Sequence, residues 1–171
     1  KLTLYNASQV VNGVQNAIAA VFGLKPADVH VVTPHVGGGF GSKGSAWPHV
    51  VLAAMAAKLV NRPVKLALTR QNMFNSVGLR QRNVQHVRLA ASADGKLTAI
   101  GHDTTTHTAV TGEFIEQCGH LSSMMYDAPN ASIGYRVLPM NVIIPTFTRA
   151  PGESTGSFAT ESAIDELAYE L

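Results

Sequence analysis

The sequence predicts an α+β fold, in which a mixed or antiparallel sheet is packed with helices. Three observations carry that reading. Helical and strand periodicities are interleaved along the chain. Asp94-Gly95 sits between two β-rich runs and marks a hairpin, with both central turn positions expected at positive φ. The order of elements is not the regular strand–helix alternation of a parallel-sheet protein. The 171 residues read as one piece of a larger domain, with a glycine-loop part over about 1–70 and a hairpin-containing part over about 71–171.

Leu2 to Tyr5 alternates as a short strand. Ser8 is the expected N-cap of a helix through about Phe22, on which Val10, Val11, Val14, Ile18 and Val21 fall near helical spacing, and Gly23 is its expected stop. Val29 to Val32 reads as a buried strand. A second helix is expected from Trp47 to Leu59, with Pro48 tolerated in its first turn. Val64 to Thr69 is the next expected strand, and Arg70 to Arg82 reads as a short helical turn followed by loop. The hairpin strands are His86 to Ala93 and Leu97 to about Thr108, the second rich in β-branched threonine. A third helix is expected over Glu113 to about Met125, strands over Ile133 to Leu138 and Val142 to Ile144, a loop over Thr146 to Gly156, and a last helix from about Ser157.

Composition narrows the class of function. Hydrophobic residues make up 46% of the chain and charged residues 14%, against roughly 25% charged in ordinary domains. So little charge predicts that other domains or subunits cover much of the surface. The break at Tyr169-Glu170-Leu171, inside an apparent helix, predicts an internal fragment of a longer protein. The formal net charge of +2 with no Lys/Arg cluster gives no nucleic-acid footprint. No apolar run is long enough to span a bilayer, and no secretory signal pattern opens the sequence. Cys118 is alone, which excludes a disulfide framework and a cysteine metal site. The seven histidines lack H-E-x-x-H spacing, which argues against a protein-ligated zinc or iron site.

The densest motif is Val36 to Gly44, in which five of nine residues are glycine and Phe40 is the one large ring. Such a run is costly inside a helix or strand and useful where bare backbone must approach a ligand. Three readings compete. A phosphate-binding P-loop needs Lys directly after glycine and before Ser or Thr, but Lys43 follows Ser42 and precedes Gly44. A dinucleotide fingerprint fits Gly39, Gly41 and Gly44, but Ala54 to Arg70 holds no acidic residue to meet a ribose. The third reading is a plain flexible loop.

Three motifs together resemble a known family. They are Gly37-Gly38-Gly39-Phe40-Gly41-Ser42-Lys43, then Thr148-Arg149-Ala150-Pro151-Gly152-Glu153, then Glu161 to Ala168. From Leu24 to Lys65 and from Tyr126 to Leu167 the chain resembles the molybdenum-binding large subunit of the xanthine dehydrogenase/aldehyde oxidase family, with a likeness to bacterial aldehyde oxidoreductases. The resemblance implies a molybdopterin cofactor, in its plain or cytosine dinucleotide form. It implies iron–sulfur and FAD (flavin) partner modules, the rest of the large subunit, a small-molecule substrate, and oxidation of an aldehyde with water as oxygen source. The compartment, cytoplasmic or periplasmic, stays open.

The same resemblance implies roles residue by residue. Gln9 falls where the family places a glutamine that hydrogen-bonds an oxo group on molybdenum; the residues alone also allow an exposed residue of the first helical turn. Gly38, Gly39, Phe40 and Gly41 match positions against the cofactor, although Phe40 could equally be a core aromatic. Arg149 and Ala150 match a second cofactor loop, although Arg149 could instead pair with Glu153 or Glu161. Gly44, Gln117 and Pro151 match the substrate pocket. Purine-oxidising members carry a glutamate where Gly44 stands and an arginine at about Gln117, so an aldehyde or other neutral substrate is expected. The general-base glutamate of the family is expected downstream of Leu171, and Glu153 is not assigned to that role. The chain alone is therefore expected to be inactive. A non-catalytic structural module of the same fold, or a self-contained anion or nucleotide binder, are the competing expectations.

Overall fold

The computed structural model describes residues 1–171. The chain forms two compact units, Lys1–Leu79 and Arg80–Leu171.

In the first unit, β1 (Leu2–Tyr5) and β2 (Val29–Val32) pair in parallel, Leu2 opposite Val29 and Tyr5 opposite Val32. The crossover is α1 (Val11–Phe22). Val14, Ile18 and Ala19 of α1 share a core with Leu4, Val29 and Val31 of the strands and with Val50 and Ala54 of α2 (Pro48–Val60). Gly23 ends α1 in the left-handed region, its N–H bonded to the carbonyls of Ala19 and Ala20, as the sequence leads one to expect of a glycine stop. Pro48 opens α2 behind Trp47. A short α3 (Arg70–Ser76) follows, capped by the Thr69 hydroxyl, which accepts from Asn72 N at 3.1 Å.

Two expectations fail here. Ser8 does not cap α1, which starts at Val11 with no side-chain cap. The Ser8 hydroxyl instead donates to the Lys43 carbonyl at 3.2 Å and accepts from Val10 N. Val64 to Thr69 is not a strand. Val64, Lys65 and Leu66 lie with β1 and α2 around a groove of about 860 Å³, and β1 pairs only with β2. Without a ladder partner, β-propensity does not make a strand.

In the second unit, β3 (Asn83–Ala91) pairs antiparallel with β4 (Leu97–Ala109), and β4 pairs in parallel with β5 (Asn130–Met140). The hairpin stands, but of its two central residues only Gly95 takes a positive φ, at 82°. Its N–H donates to Ser92 O, and Ser92 N donates to Lys96 O. One face of β4 is buried at His102, Thr104, Thr106 and Thr108, so this core is largely polar. His102 carries it: Nδ1 lies 2.7 Å from Ser122 Oγ and Nε2 2.9 Å from Gln85 Oε1. The Gln85 oxygen can only accept, which puts the proton on Nε2. Burial holds His102 below the ordinary histidine value.

The helix expected over Glu113 to Met125 shrinks to α4 (His120–Met125). The preceding residues spend their backbone donors elsewhere. Glu116 N donates to Gln81 Oε1, and Gly119 N donates to the Tyr135 hydroxyl at 3.0 Å. Val142 to Ile144 is loop, since Val142 N turns back on Met140 O at the end of β5. The last helix, α5 (Glu153–Glu170), starts four residues earlier than the expected Ser157. Ser154 N and Gly156 N already reach the carbonyls of Ala150 and Gly152. No helix is long and apolar enough to cross a membrane.

Candidate functional site

Each unit carries a glycine-containing loop with an exposed non-glycine residue at positive φ; the remaining such residue, Asn61, ends α2. In the first unit that loop is the glycine loop after β2. Phe40 takes φ 52°, a left-handed conformation that costs a non-glycine residue about 1–2 kcal/mol. Its ring is 64% exposed, so Phe40 is not a core aromatic. Gly41 follows at φ 96°. Strain of this kind, held in an exposed loop, is a mark of a binding site.

Gln9 organises this loop. Its Oε1 accepts from Gly41 N at 2.9 Å and from Lys43 N at 3.2 Å, while its own N–H donates to Lys43 O at 3.0 Å. Lys43 Nζ closes the loop by donating to Val36 O at 2.6 Å. Two N–H donors on one amide atom identify that atom as oxygen. The Gln9 Nε2 hydrogens are therefore left without an acceptor in the chain, as are the N–H groups of Gly39 and Phe40. Gly39 must be glycine for this: an added methyl would lie 2.5 Å from Gln9 Cδ. Gln9 is exposed but stands before α1 rather than in its first turn. Gly38 lies beside the Phe40 ring, and Gly44 donates its N–H to Gly41 O at 2.8 Å.

In the second unit the loop is Thr148 to Gly152. Ala150 takes φ 54° and Gly152 φ 92°. Arg149, Ala150 and Pro151 are exposed and Gly152 is buried. Arg149 pairs with neither Glu153 nor Glu161; the ion pairs of the chain are Arg80–Glu116 and Arg88–Asp103. Gln117 is brought to this loop. A methyl on Gly152 would meet the Gln117 backbone at 2.8 Å, and one on Gly156 would lie 1.9 Å from the Cys118 carbonyl oxygen.

Two residues that the sequence reading leaves in an ambiguous polar stretch hold this region. Arg80 donates to the carbonyls of Thr148 (2.6 Å) and Arg149 (2.7 Å), reaches Ala150 O at 3.5 Å, and meets Ser154 Oγ and Glu116 Oε2. Gln81, buried, donates to the carbonyls of His107 and Phe114 and accepts from Glu116 N. Glu116 is 1% exposed and its Oε1 has no partner. Burial raises its carboxyl above the ordinary glutamate value, with Arg80 pulling the other way. No local sequence signal singles out Arg80 or Gln81 within the polar stretch before β3. Cys118 is buried, its thiol raised by burial and set 3.2 Å from Thr155 Oγ1.

Comparison with known proteins gives this geometry a family. The molybdopterin cofactor-binding domain family matches residues 1–171. The aldehyde oxidoreductase molybdenum-binding subunit PaoC of Escherichia coli is 35% identical over 98% of this chain and 23% of its own length. The indole-3-acetaldehyde oxidase of Zea mays is 30% identical over 99% of this chain and 13% of its own. Among solved structures, the aldehyde oxidoreductase of Desulfovibrio gigas superposes with a TM-score of 0.81 at 29% identity, over 98% of this chain and 19% of that one. The quinoline 2-oxidoreductase of Pseudomonas putida shares the fold with a TM-score of 0.87 at 24% identity, over 99% of this chain and 22% of that one. The chain thus spans less than a quarter of the length of the relatives it matches. It belongs to the molybdopterin cofactor-binding domain family.

Proposed function

We propose that this chain forms part of the molybdopterin site of a molybdenum-dependent oxidoreductase acting on an aldehyde or related neutral substrate. The observation that carries the proposal is the Gln9 amide. Its oxygen is consumed by the N–H groups of Gly41 and Lys43, so its nitrogen is left to donate to an acceptor at the metal end of the cofactor. A neutral amide does this without adding charge. The group also fits elsewhere. Gly38, Gly39 and Gly41 let backbone come close, Phe40 lays an exposed ring beside it, and Arg149 and Ala150 present free N–H groups.

When bound, the cofactor supplies the redox chemistry, with water as the oxygen source; the protein's part is binding, orientation and electrostatics. Gln9 orients the metal end. The exposed Phe40 ring would pack against the cofactor. Gly44 of the first unit and, separately, Gln117 and Pro151 of the second are taken for the substrate side on this reading, and none carries a formal charge, which suits a neutral substrate. On this reading the base, and the iron–sulfur and flavin groups that would accept electrons, would be supplied by the rest of the large subunit and its partners. The 171-residue chain alone is inactive on this reading.

The test is to purify the full-length protein from a host that makes the cofactor. Metal and pterin are then quantified, with pterin analysis separating molybdopterin from its cytosine dinucleotide, and aldehydes are assayed with an artificial electron acceptor. Near-stoichiometric molybdenum and aldehyde turnover are expected. Folded full-length protein without pterin would overturn the proposal.

A further inference from the structure

The guanidinium of Arg80 draws three successive carbonyls, those of Thr148, Arg149 and Ala150, to one side of their loop. The chain has no cis peptide bond, and in a trans peptide the C=O and N–H point in opposite directions. The carbonyl of Thr148 shares its peptide plane with the N–H of Arg149, and that of Arg149 with the N–H of Ala150. Both N–H groups therefore point away from Arg80, and neither has an acceptor in the chain. The third plane ends at Pro151, which has no N–H. Two adjacent N–H groups aimed the same way attract an anionic or strongly polar acceptor.

We propose that Arg80 is the positioning residue of this loop, turning the N–H groups of Arg149 and Ala150 outward as a pair of donors to the molybdopterin, with Gln81 and Glu116 holding Arg80 in place. The inference rests on the cofactor reading of the loop given above. The support beneath it is built in. Gln81 bonds the backbone of residues 107, 114 and 116, and Glu116 is buried with one oxygen on Arg80. The loop pays for its shape with the left-handed Ala150, a strain that persists only where the surroundings impose it. Five acceptors in different directions need the planar fork of arginine, and the three donors of a lysine on one rotating nitrogen do not replace it.

The experiment uses Arg80→Lys in the full-length protein, since lysine keeps a charge beside Glu116 and loses the fork. Amide exchange at Ser154 and Gly156, whose N–H groups bond Ala150 O and Gly152 O, reports the loop independently of the cofactor. Molybdenum and pterin content and the metal's electron paramagnetic resonance spectrum report the site. We expect exchange at these two amides to rise at least about tenfold, roughly the effect of one charge-assisted hydrogen bond. Exchange in β3 and β4 should stay unchanged, with a lower pterin content and an altered metal spectrum. Unchanged exchange at Ser154 and Gly156 would overturn the positioning role and leave the cofactor reading standing. Faster exchange with normal pterin content and spectrum would mean that the loop does not serve the cofactor. If Arg80→Lys fails to fold, Ser154→Ala removes one Arg80 acceptor together with that hydroxyl's own bond to Ala150 O, exchange is read at Gly156 alone, and the same pattern is expected at smaller amplitude; no change in either readout there overturns the inference.

Discussion

Replacing Gly156 by alanine sets two effects of opposite sign against each other. Inside α5, alanine should gain about 1 kcal/mol of helix propensity over glycine. The added methyl, however, would lie 1.9 Å from the Cys118 carbonyl oxygen, 2.8 Å from its carbonyl carbon and 3.1 Å from its Cα. A carbon needs about 3.3 Å from a carbonyl oxygen even in a close C–H···O contact, so α5 and the 116–118 segment must part by more than about 1 Å. Overpacking costs about 1–3 kcal/mol. Here the obstructing atoms are backbone, fixed by Cys118 N on Glu116 O and His120 N on Gln117 O, which places the cost at the upper end. The net expectation is a loss of about 2 kcal/mol, the upper overpacking cost less the propensity gain. Denaturant unfolding of the full-length protein, followed by amide exchange in β3 and β4, measures it. Equal or greater protection than wild type would show that the helix term wins and that the close approach is not a constraint.

Three further outcomes follow from the same geometry. Gly39→Ala should barely change the melting temperature, because the clash is with the mobile end of Gln9, yet it should drive the amide off Gly41 and Lys43 and lower cofactor content; wild-type content would contradict this. Glu116 titrates above its ordinary value through burial, so its contribution to stability is full below the unfolded-state pKa and is lost as pH rises through the folded one. The stability of Glu116→Gln relative to wild type should therefore climb across that window and level off above it, and parallel curves would refute the assignment. His102→Phe should destabilise the second unit by about 1–3 kcal/mol by leaving the Gln85 oxygen unpaired and Ser122 with Thr160 alone, read by unfolding; no loss would mean that these bonds carry no stability.

The elements with strong local signals were legible in the sequence. Gly23 and Gly95 mark their boundaries through a positive φ that few residues accept, and Pro48 through a ring and missing N–H that suit only a helix's first turn, and the end of α1, the start of α2 and the hairpin follow from them. What local pattern could not supply was partners. Val64 to Thr69 has β character but no strand beside it. Residues 113–119 have helical character, but Gln81 and Tyr135 take their N–H groups. In the candidate site, the glycine loop and the Arg149–Ala150 loop stood out by motif, and Gln9 only through the family resemblance. Arg80 did not, because its importance lies in five acceptors, four of them 68 to 74 residues away in sequence, and no spacing rule connects those positions.

The central claim is that the Gln9 amide nitrogen, freed by the bonds to its oxygen, donates to the cofactor. Gln9→Glu removes that donor and puts a negative charge in its place, since a carboxylate oxygen can still accept from Gly41 and Lys43 but has no hydrogen to give. In the full-length protein, the account predicts an unchanged melting temperature with turnover reduced at least about tenfold, the effect of losing one good hydrogen bond. Wild-type turnover and cofactor content in Gln9→Glu would contradict it.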